Sequence, residues 1–214
     1  MGSNALMSDT DAARRRLKIA LDDEIARCRR CDGMNIPGVT ASAPGYGCLT
    51  SPAALVGQSL CEKCMDSQVP FTGGSGDLID AGIQLAGLEK RDVFISNAVH
   101  CHPPKNRPSH EREIVNCSPF LHRELDIVRP RLVITLGRDA ERVMRFFYPR
   151  ARASEPPFEI PRGRLPKGVP YIFAAKHPSW IQRQHDDALE AEYVSGLAAA
   201  IRWSFSLTAE DEKR

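Results

Sequence analysis

The sequence predicts an α/β fold, a three-layer α/β/α sandwich around a central, mainly parallel sheet of four strands. Two observations support this prediction. Four apolar runs of four or five residues have the length and composition of buried strands. The segments between them have the three- and four-residue apolar period of helices. The four runs cover residues 53–56, 93–97, 132–136 and 171–174.

The first half of the chain predicts one helix, one loop and a β-α-β unit. Apolar residues recur at helical steps over residues 11–30, whereas the glycines and prolines of residues 32–51 favour a loop. The first strand stops at Gly57, and a helix over residues 75–86 leads to the second strand. We expect the loop after Gly57 to bind ligand, as loops after buried strands do in α/β proteins.

The second half continues the alternation of helices and strands. Ser109 can cap a helix that runs to Val128, and the third strand then ends at Gly137. A basic helix follows, residues 149–170 are irregular, and a last helix after the fourth strand ends near Trp203. Because the carboxyl ends of parallel strands share one edge of a sheet, the loops after the four strands should lie together.

Length favours a single domain, since 214 residues are enough for one sizeable core. We expect this domain over residues 7–206. Residues 1–6 have the character of an expression tag without a secretory signal, and residues 207–214 form a charged tail. No apolar run of about 18 residues is present to cross a membrane. We therefore expect a soluble, cytoplasmic protein, with a monomer as the default state.

Charge is unevenly distributed, although the net charge is only +2. Residues 138–167 contain eight basic and four acidic side chains. This bias favours an anionic ligand, and a solvated charged surface is an equally open interpretation. Residues 103–107, two prolines followed by Lys105, Asn106 and Arg107, form a rigid basic stretch suited to a phosphate backbone.

Cysteines are the most informative residues of this chain. Cys28 and Cys31 form a close pair at the end of the first helix, and Cys101 and Cys117 flank the basic stretch. Four thiolates are the ligand set of an iron–sulfur cluster or a structural zinc ion. We expect ligation or burial rather than a disulfide framework, because cytosolic reductants keep thiols reduced.

A second close pair, Cys61 and Cys64, leaves the metal assignment open. Together with the first pair it would make a four-cysteine zinc site at Cys28, Cys31, Cys61 and Cys64. That alternative leaves Cys101 and Cys117 unexplained. If those two are ligands instead, Cys61 and Cys64 are small buried or loop residues, as is Cys48.

Several motifs in order resemble the iron–sulfur uracil-DNA glycosylases, families 4 and 5 of the uracil-DNA glycosylase superfamily. The matching stretches are VPFTGGSG (69–76), ISNAVHCHPPKNR (95–107), LGRDA (136–140) and HPS (177–179). Arg162 and Gly163 match an arginine-glycine pair of that family. The resemblance implies a four-iron (4Fe-4S) cluster of structural role on Cys28, Cys31, Cys101 and Cys117. It also implies DNA as the partner and a base flipped out of the duplex.

The resemblance assigns roles to three residues of the base pocket. Phe71 matches the family's stacking aromatic, Asn97 the asparagine that pairs with the uracil edge, and His177 the histidine near the uracil O2 atom. An amide in fixed orientation separates uracil from cytosine, and a donor aimed at O2 stabilises the leaving base anion. Each residue also has a structural interpretation: a core ring, a turn amide and a satisfied imidazole.

The first loop departs from the family pattern. Where the family has glutamate after its glycine, Gln58 follows Gly57, and we expect Gly57 and Ser59 to bind substrate as well. Glutamine can orient a water but cannot accept a proton at neutral pH, so a general base is missing here. We count Gln58 with His177 and Asn97 as catalytic candidates and expect weak or altered activity.

The resemblance also implies a surface for DNA. Ser179, Trp180 and Arg183 match a loop that enters the minor groove, where an apolar wedge replaces lost stacking. Lys105, Arg107 and Arg162 are the other candidates for phosphate contacts. We expect a DNA-repair glycosylase that hydrolyses an N-glycosidic bond. The alternatives are a non-catalytic nucleic-acid-binding homologue and an RNA- or nucleotide-processing domain.

Overall fold

The computed structural model describes residues 9–211 and contains a six-stranded, mostly parallel sheet with helices on both faces. The helices are α1 (Asp9–Ala26), α2 (Glu62–Ser67), α3 (Gly76–Leu85), α4 (Glu111–Val128), α5 (Arg138–Phe147), α6 (Pro178–Gln182) and α7 (Asp187–Asp211). The strands are β1 (Tyr46–Gly47), β2 (Ala53–Ser59), β3 (Phe94–Val99), β4 (Leu132–Leu136), β5 (Ala153–Ser154) and β6 (Tyr171–Ala175). This arrangement confirms the predicted α/β class.

The order of strands across the sheet is β1-β3-β2-β4-β6-β5, and only β1 runs antiparallel to its neighbour. The four predicted strands form its centre. The two strands that the sequence did not predict are the edges β1 and β5, each two residues long. Such short strands show no period of their own, so only their pairing with β3 and β6 defines them.

Alternate side chains of the central strands divide the core between the two faces of the sheet. On one face, Leu55 and Ile134 pack with Ile79 of α3 and Leu197 of α7. On the other face, the neighbouring strand residues pack against α4 and α5, for example Val133 with Leu125 and Met144. Helix α1 lies outside α4, where Leu21 and Ile25 contact Phe120 and Ile127. The period of two in the strands therefore builds a layer on each side.

Helix boundaries differ from the sequence prediction at three places. Helix α1 ends at Ala26, four residues earlier than expected, so Cys28 and Cys31 lie in the turn beyond it. Helix α2 was not predicted, since six residues are too few for an apolar period. Helix α7 continues to Asp211 into the segment predicted as a tail. The predicted tag at residues 1–6 lies outside the described residues.

Among residues 9–211, no helix combines the length and the hydropathy that a membrane span requires. The expected single domain, residues 7–206, and the monomeric state stay predictions.

Candidate functional site

A cavity of about 500 Å³ opens at the carboxyl ends of β2, β3 and β6. The loops that follow these strands lie together at one edge of the sheet, as predicted, and contribute to the lining of the cavity. Eight of the predicted site residues contribute to the lining: Gln58, Ser59, Phe71, Asn97, Arg107, His177, Ser179 and Arg183. The structure thus brings together residues that are separated by up to 125 positions of sequence, from Gln58 to Arg183.

Asn97 lies on β3, opposite Gly57 in the parallel register of β2 and β3. Its side chain is buried, with only 3% of the residue exposed. Within residues 9–211, no group donates a hydrogen bond to Asn97 Oδ1. A buried amide oxygen without a donor costs free energy, because it has lost its hydrogen bonds to water. Because Asn97 also lines the cavity, we expect this oxygen to accept from a ligand N–H group.

Gly57 does not line the cavity, but it makes room for two residues that do. A Cβ atom at this position would stand 2.4 Å from Phe71 Cζ and 2.5 Å from Asn97 Oδ1, so only glycine fits. The backbone of Phe71 has a positive φ of 58°, a conformation that residues other than glycine rarely adopt. The Phe71 carbonyl accepts a hydrogen bond from Lys90 Nζ at 2.7 Å, and Lys90 also pairs with Asp80. These contacts hold the strained residue in place.

His177 follows β6 and faces the Phe71 ring, with the two ring centroids 6.3 Å apart. Its Nδ1 atom accepts the Ser179 backbone N–H at 3.3 Å and lies 2.8 Å from Ser179 Oγ. Burial, with help from the Arg183 charge, lowers the pKa of His177 below its usual value. The imidazole is therefore neutral at pH 7, and because Nδ1 accepts, the proton is on Nε2. Gly137, which follows β4, leaves room for this placement, since a Cβ atom there would stand 3.1 Å from the Cβ of His177.

Gln58 and Ser59 end β2, are half-buried, and line the cavity with Asn97 and His177. No carboxylate occurs among the described residues that line this cavity. Two guanidinium groups, those of Arg107 and Arg183, belong to the lining. The site therefore contains hydrogen-bond donors, amides and a ring, but no side chain that can take a proton from water as a strong base.

The residues predicted to contact DNA are placed unequally. Ser179 and Arg183 line the cavity, and Arg183 Nη1 donates to Ser179 Oγ at 3.2 Å. Trp180 is 41% exposed, with Lys176 Nζ 6.0 Å from the centre of its ring. Lys105 is exposed beside the cavity, on the segment that contributes Asn106 to the lining. Arg183, Trp180 and Lys105 are therefore all exposed to solvent.

Arg107 and Arg162 differ from this group. Arg107 forms a two-bond ion pair with Glu113 of α4, which raises the pKa of Arg107 and lowers that of Glu113. Its charge is thus largely neutralised before any phosphate arrives. Arg162 is exposed and does not line the cavity; its carbonyl accepts a hydrogen bond from Arg152 at 2.6 Å.

Cys61 and Cys64 form a disulfide with a Cα–Cα distance of 5.0 Å. The prediction of ligation or burial rather than a disulfide framework was wrong for this pair: Cys61 caps the first turn of α2, which brings Cys64 within disulfide range. Neither sulfur contributes to the cavity formed by the other four cysteines. The zinc alternative on Cys28, Cys31, Cys61 and Cys64 is therefore wrong as well.

Cys28, Cys31, Cys101 and Cys117 line one small cavity. Cys101 is tied to the turn before β1 by a β-bridge to Ser42, and Cys117 lies on α4. Asn116 Nδ2 donates to Cys31 Sγ at 3.3 Å. A hydrogen bond between the thiols of Cys101 and Cys117 raises the pKa of Cys101. The same hydrogen bond, together with His100, lowers the pKa of Cys117 to about 5. The Cys117 thiol is thereby prepared to lose its proton, as a ligand must.

This donor set fits a four-iron cluster: four thiols from three distant segments meet, and an amide N–H already bonds one sulfur. The described residues do not offer a comparable site for a single metal ion. The part of the chain that the structure describes contains no group of three or more His, Cys, Asp or Glu side chains placed to hold one ion.

A buried charge network supports the four-cysteine site. Glu124 of α4 is fully buried and contacts His100 Nε2 at 3.1 Å, Ser96 Oγ at 2.6 Å and the Gly45 N–H at 2.6 Å. Burial alone would raise the pKa of Glu124, but His100 and Lys18 outweigh it and lower the pKa to about 2. Sequence reasoning missed this network, because its members lie on four separate segments.

The cavity also contains residues that sequence reasoning did not assign to it: Leu60, Cys61, Gly73, Ser75, Gly76, Pro103, Asn106 and Pro108. Most of them flank predicted residues in the same loops. Gly73, Ser75, Gly76, Pro103 and Asn106 lie within the family motifs, which could have identified them, whereas the signal for Leu60, Cys61 and Pro108 is their proximity to Ser59 and Arg107.

Comparisons with known proteins agree on one family. A family model described as the uracil DNA glycosylase superfamily matches residues 44–198. The chain is 37% identical over 119 residues to a type-4 uracil-DNA glycosylase of Sulfurisphaera tokodaii, a match that covers 55% of this chain and 53% of that protein. The chain thus spans about half the length of this relative.

Two proteins of Pyrobaculum aerophilum are also similar. One, named type-4 uracil-DNA glycosylase, is 29% identical over 159 residues, 73% of this chain and 80% of that protein. The other, named type-5 uracil-DNA glycosylase, is 53% identical over 58 residues, 27% of this chain and 25% of that protein.

Proposed function

Since this chain belongs to the uracil DNA glycosylase superfamily, we propose that it binds DNA, accepts a flipped deaminated base, and hydrolyses its N-glycosidic bond. Uracil or a related base is the substrate. The observation that best supports this proposal is the buried Asn97 amide oxygen, which has no donor within the described residues. It lines the same cavity as the Phe71 ring and a neutral imidazole.

Recognition of the base follows from the chemistry of an amide. Asn97 Oδ1 can accept the N3–H of uracil while Nδ2 donates to O4. Cytosine presents the opposite pattern at both atoms, so it would leave the buried amide unpaired. Stacking on Phe71 offsets part of the few kcal/mol that unstacking a base costs.

Bond cleavage leaves negative charge on the base and positive charge on the sugar. His177, as a neutral Nε2–H donor, can stabilise the charge that develops at the uracil O2 atom. Ser179 holds the ring in this orientation through its backbone N–H, so no reorganisation is needed when the charge forms.

The attacking water receives little help. Gln58 can orient a water through its amide but cannot remove its proton, and the described lining contains no carboxylate. The reaction then depends on an oxocarbenium-like sugar and a stabilised base anion. We therefore propose a slow glycosylase, or one whose first loop suits a base other than uracil.

DNA would lie across the cavity mouth. Arg183 and Lys105 are free to contact phosphates, and Trp180 can replace the lost stacking as a wedge. Ser179 and the exposed Arg162 extend this surface, while Arg107 contributes mainly by holding α4 through Glu113.

Cys28, Cys31, Cys101 and Cys117 would hold a four-iron cluster whose role is structural. The four cysteines would then join the turn after α1, the segment that follows β3, and α4. The basic stretch begins two residues after Cys101, and Arg107 contacts both Glu113 of α4 and Met34 beside the cysteines. The cluster would thereby fix the surface that meets DNA.

A non-catalytic nucleic-acid-binding role is the second candidate, and the loss of the family carboxylate at Gln58 favours it. In that case the pocket would bind a flipped base without hydrolysing the bond.

The test is a lesion panel on protein of known iron content. Oligonucleotides with uracil, hypoxanthine, xanthine or a thymine mismatch are incubated with wild-type, Gln58→Glu and Gln58→Ala chains, and strand nicking after alkali is measured. We expect slow excision by the wild type, acceleration by roughly 10²-fold in Gln58→Glu from a restored general base, and a several-fold loss in Gln58→Ala.

Two outcomes would overturn the proposal. Intact, salt-sensitive DNA binding without product from any lesion would establish the non-catalytic role. Rapid uracil excision that persists unchanged in Gln58→Ala would show that the first loop does not limit the reaction.

A further inference from the structure

We propose that Cys61 and Cys64 form a thiol–disulfide exchange site, which reacts with small thiols and disulfides and controls the segment that positions Phe71. The assignment of Phe71 to base stacking rests on the function proposed above. The exchange chemistry itself does not.

Access to the two sulfurs is unequal. Cys61 is half-buried and lines the 500 Å³ cavity, whereas Cys64 is completely buried among Ala43, Leu60 and Met65. A small thiolate that enters the cavity can therefore reach only the Cys61 sulfur. Disulfide exchange requires such access for attack at one sulfur, with the other as leaving group.

The buried sulfur contacts the segment of the stacking ring. Cys64 Sγ accepts the backbone N–H of Thr72 at 3.4 Å, and Thr72 directly follows Phe71. Ser67 of the same short helix bonds Thr72 through their hydroxyl groups at 2.9 Å. Because Phe71 has a positive φ, its position depends on such contacts from its neighbours.

The same loop contacts the basic stretch from its other side. The Leu60 carbonyl lies 3.0 Å from His102 Nδ1, and Glu62 accepts a hydrogen bond from Asn106 at 3.3 Å. The disulfide thus lies between the segment of Phe71 and the segment of Lys105. A change in its length or orientation has to be accommodated by one or both.

Reduction forces such a change. Breaking the bond leaves two sulfur atoms, each with a hydrogen, that must separate to non-bonded contact. Cys64 lies in a packed environment with no exposed surface, so the added volume moves its neighbours instead of filling a void. Thr72 then loses its acceptor or follows the sulfur.

The chemistry balances with a small disulfide as the oxidant. In the reduced pair, the Cys61 thiolate attacks a sulfur of the small disulfide and releases one small thiol. The Cys64 thiolate then attacks Cys61 Sγ and releases the second. Two electrons and two protons pass from the protein to the small disulfide. Reduction runs in reverse, through attack of a small thiolate on Cys61.

The experiment uses full-length protein with the unrelated free thiol removed, Cys48→Ser, and iron quantified before and after treatment. Trypsin cleaves after Lys63, between the two cysteines, so the disulfide joins the peptides of residues 31–63 and 64–90. We expect these peptides to be linked in protein equilibrated with oxidised glutathione and separate after reduced glutathione, with unchanged iron content.

Amide exchange provides the second readout and needs no catalytic activity. On reduction, hydrogen exchange of residues 69–76 should accelerate by about tenfold, as expected when a single amide hydrogen bond is lost. In the double variant Cys61→Ser, Cys64→Ser, which has no thiol at this site, exchange in this segment should not respond to glutathione. The affinity for uracil-containing DNA should change with redox state in the Cys48→Ser chain, which keeps Cys61 and Cys64. It should not change in the variant that lacks this pair.

Three results would overturn the proposal. The two peptides could stay linked in reduced glutathione, or fail to link in oxidised glutathione. The third result is a rate of amide exchange over residues 69–76 that does not change on reduction. A responsive disulfide in a protein that excises no base would leave this inference standing and refute the glycosylase.

Discussion

Two cysteine pairs in this chain have the same spacing but different surroundings. Cys28 and Cys31 follow α1 and share a cavity with Cys101 and Cys117, whereas Cys61 and Cys64 bond to each other at the start of α2. The spacing only brings two sulfurs close. Whether they become part of a ligand set or a disulfide depends on which distant thiols the fold brings to them.

The two pairs should also differ in what they stabilise. The four-cysteine site joins segments up to 89 residues apart, from Cys28 to Cys117. The disulfide closes a loop of four residues, for which chain entropy predicts only about 2 kcal/mol. The first site should therefore affect the stability of the whole domain, and the second mainly the loop beside the pocket.

The largest expected effect comes from removing one of the four clustered thiols. Cys117→Ala should abolish stoichiometric iron binding and lower the free energy of unfolding by about 5 kcal/mol or more, because ligand-set binding energy is folding energy. Iron analysis and urea unfolding measure both. Cys61→Ala is the matched control and should keep its iron. Equal iron loss in both variants would end the distinction between the pairs.

The next effect tests the charge network beside the four-cysteine site. Glu124→Gln leaves His100 without its buried counter-charge, while Lys18 keeps only its ion pair with Asp22, so the protein should be destabilised by about 3 kcal/mol. Urea unfolding at pH 7 measures it, with Glu24→Gln at an exposed ion pair as the control that should change little.

The sign of the pH dependence follows from the lowered pKa of Glu124. Its contribution to stability is complete above 4.5, the ordinary value, and is lost as the pH falls toward about 2. Glu124→Gln should lack this acid-side loss. If the variant and the wild type lose stability in parallel over this range, the network is not the cause.

Substitutions in the cavity that contains Asn97 should lower activity and leave stability unchanged. Asn97→Ala should lower uracil excision by roughly 10²-fold, because the buried amide no longer distinguishes or holds the base. Asn97→Asp, which keeps the size but loses the amide donor, should be similarly impaired. Single-turnover rates measure both, and an unfolding midpoint equal to that of wild type shows that the fold is intact. Excision at the wild-type rate would remove Asn97 from the mechanism.

The smallest expected effect concerns His177. Because its pKa is lower in the folded protein than the 6.5 of an ordinary imidazole, its contribution to stability is lost as the pH falls below 6.5. Activity should fall on the same acid side, since protonation breaks the Ser179 N–H bond to Nδ1.

Arg183 is one cause of that lowered pKa, so Arg183→Ala should move the acid limb of kcat slightly to higher pH. Arg183→Lys retains the charge and should leave the limb in place. The pH profile at saturating DNA separates this effect from weaker binding. A limb that is the same in all three proteins would mean that another group titrates.

Sequence reasoning succeeded where local patterns are strong. The four central strands and the helices between them have clear periods, and the order of parallel strands determines which loops meet. Phe71, Asn97 and His177 were selected through family motifs, and the structure brings them to one cavity.

It failed where a feature depends on contacts between distant segments. Edge strands β1 and β5 exist only through their pairing, and helix α2 is too short to have a period. The ion pair of Arg107 with Glu113 changes the expected role of a basic residue, and nothing in the spacing of the two residues predicted it.

The amino-acid sequence alone therefore determined the α/β class, the strands of the sheet centre and the residue types at its carboxyl edge, because apolar period and strand length act locally. Only the tertiary structure decided which sulfurs meet, which charges are neutralised and which amide oxygen stays without a donor. Those outcomes depend on distances between side chains that are remote in the chain, and packing sets those distances after the local elements have formed.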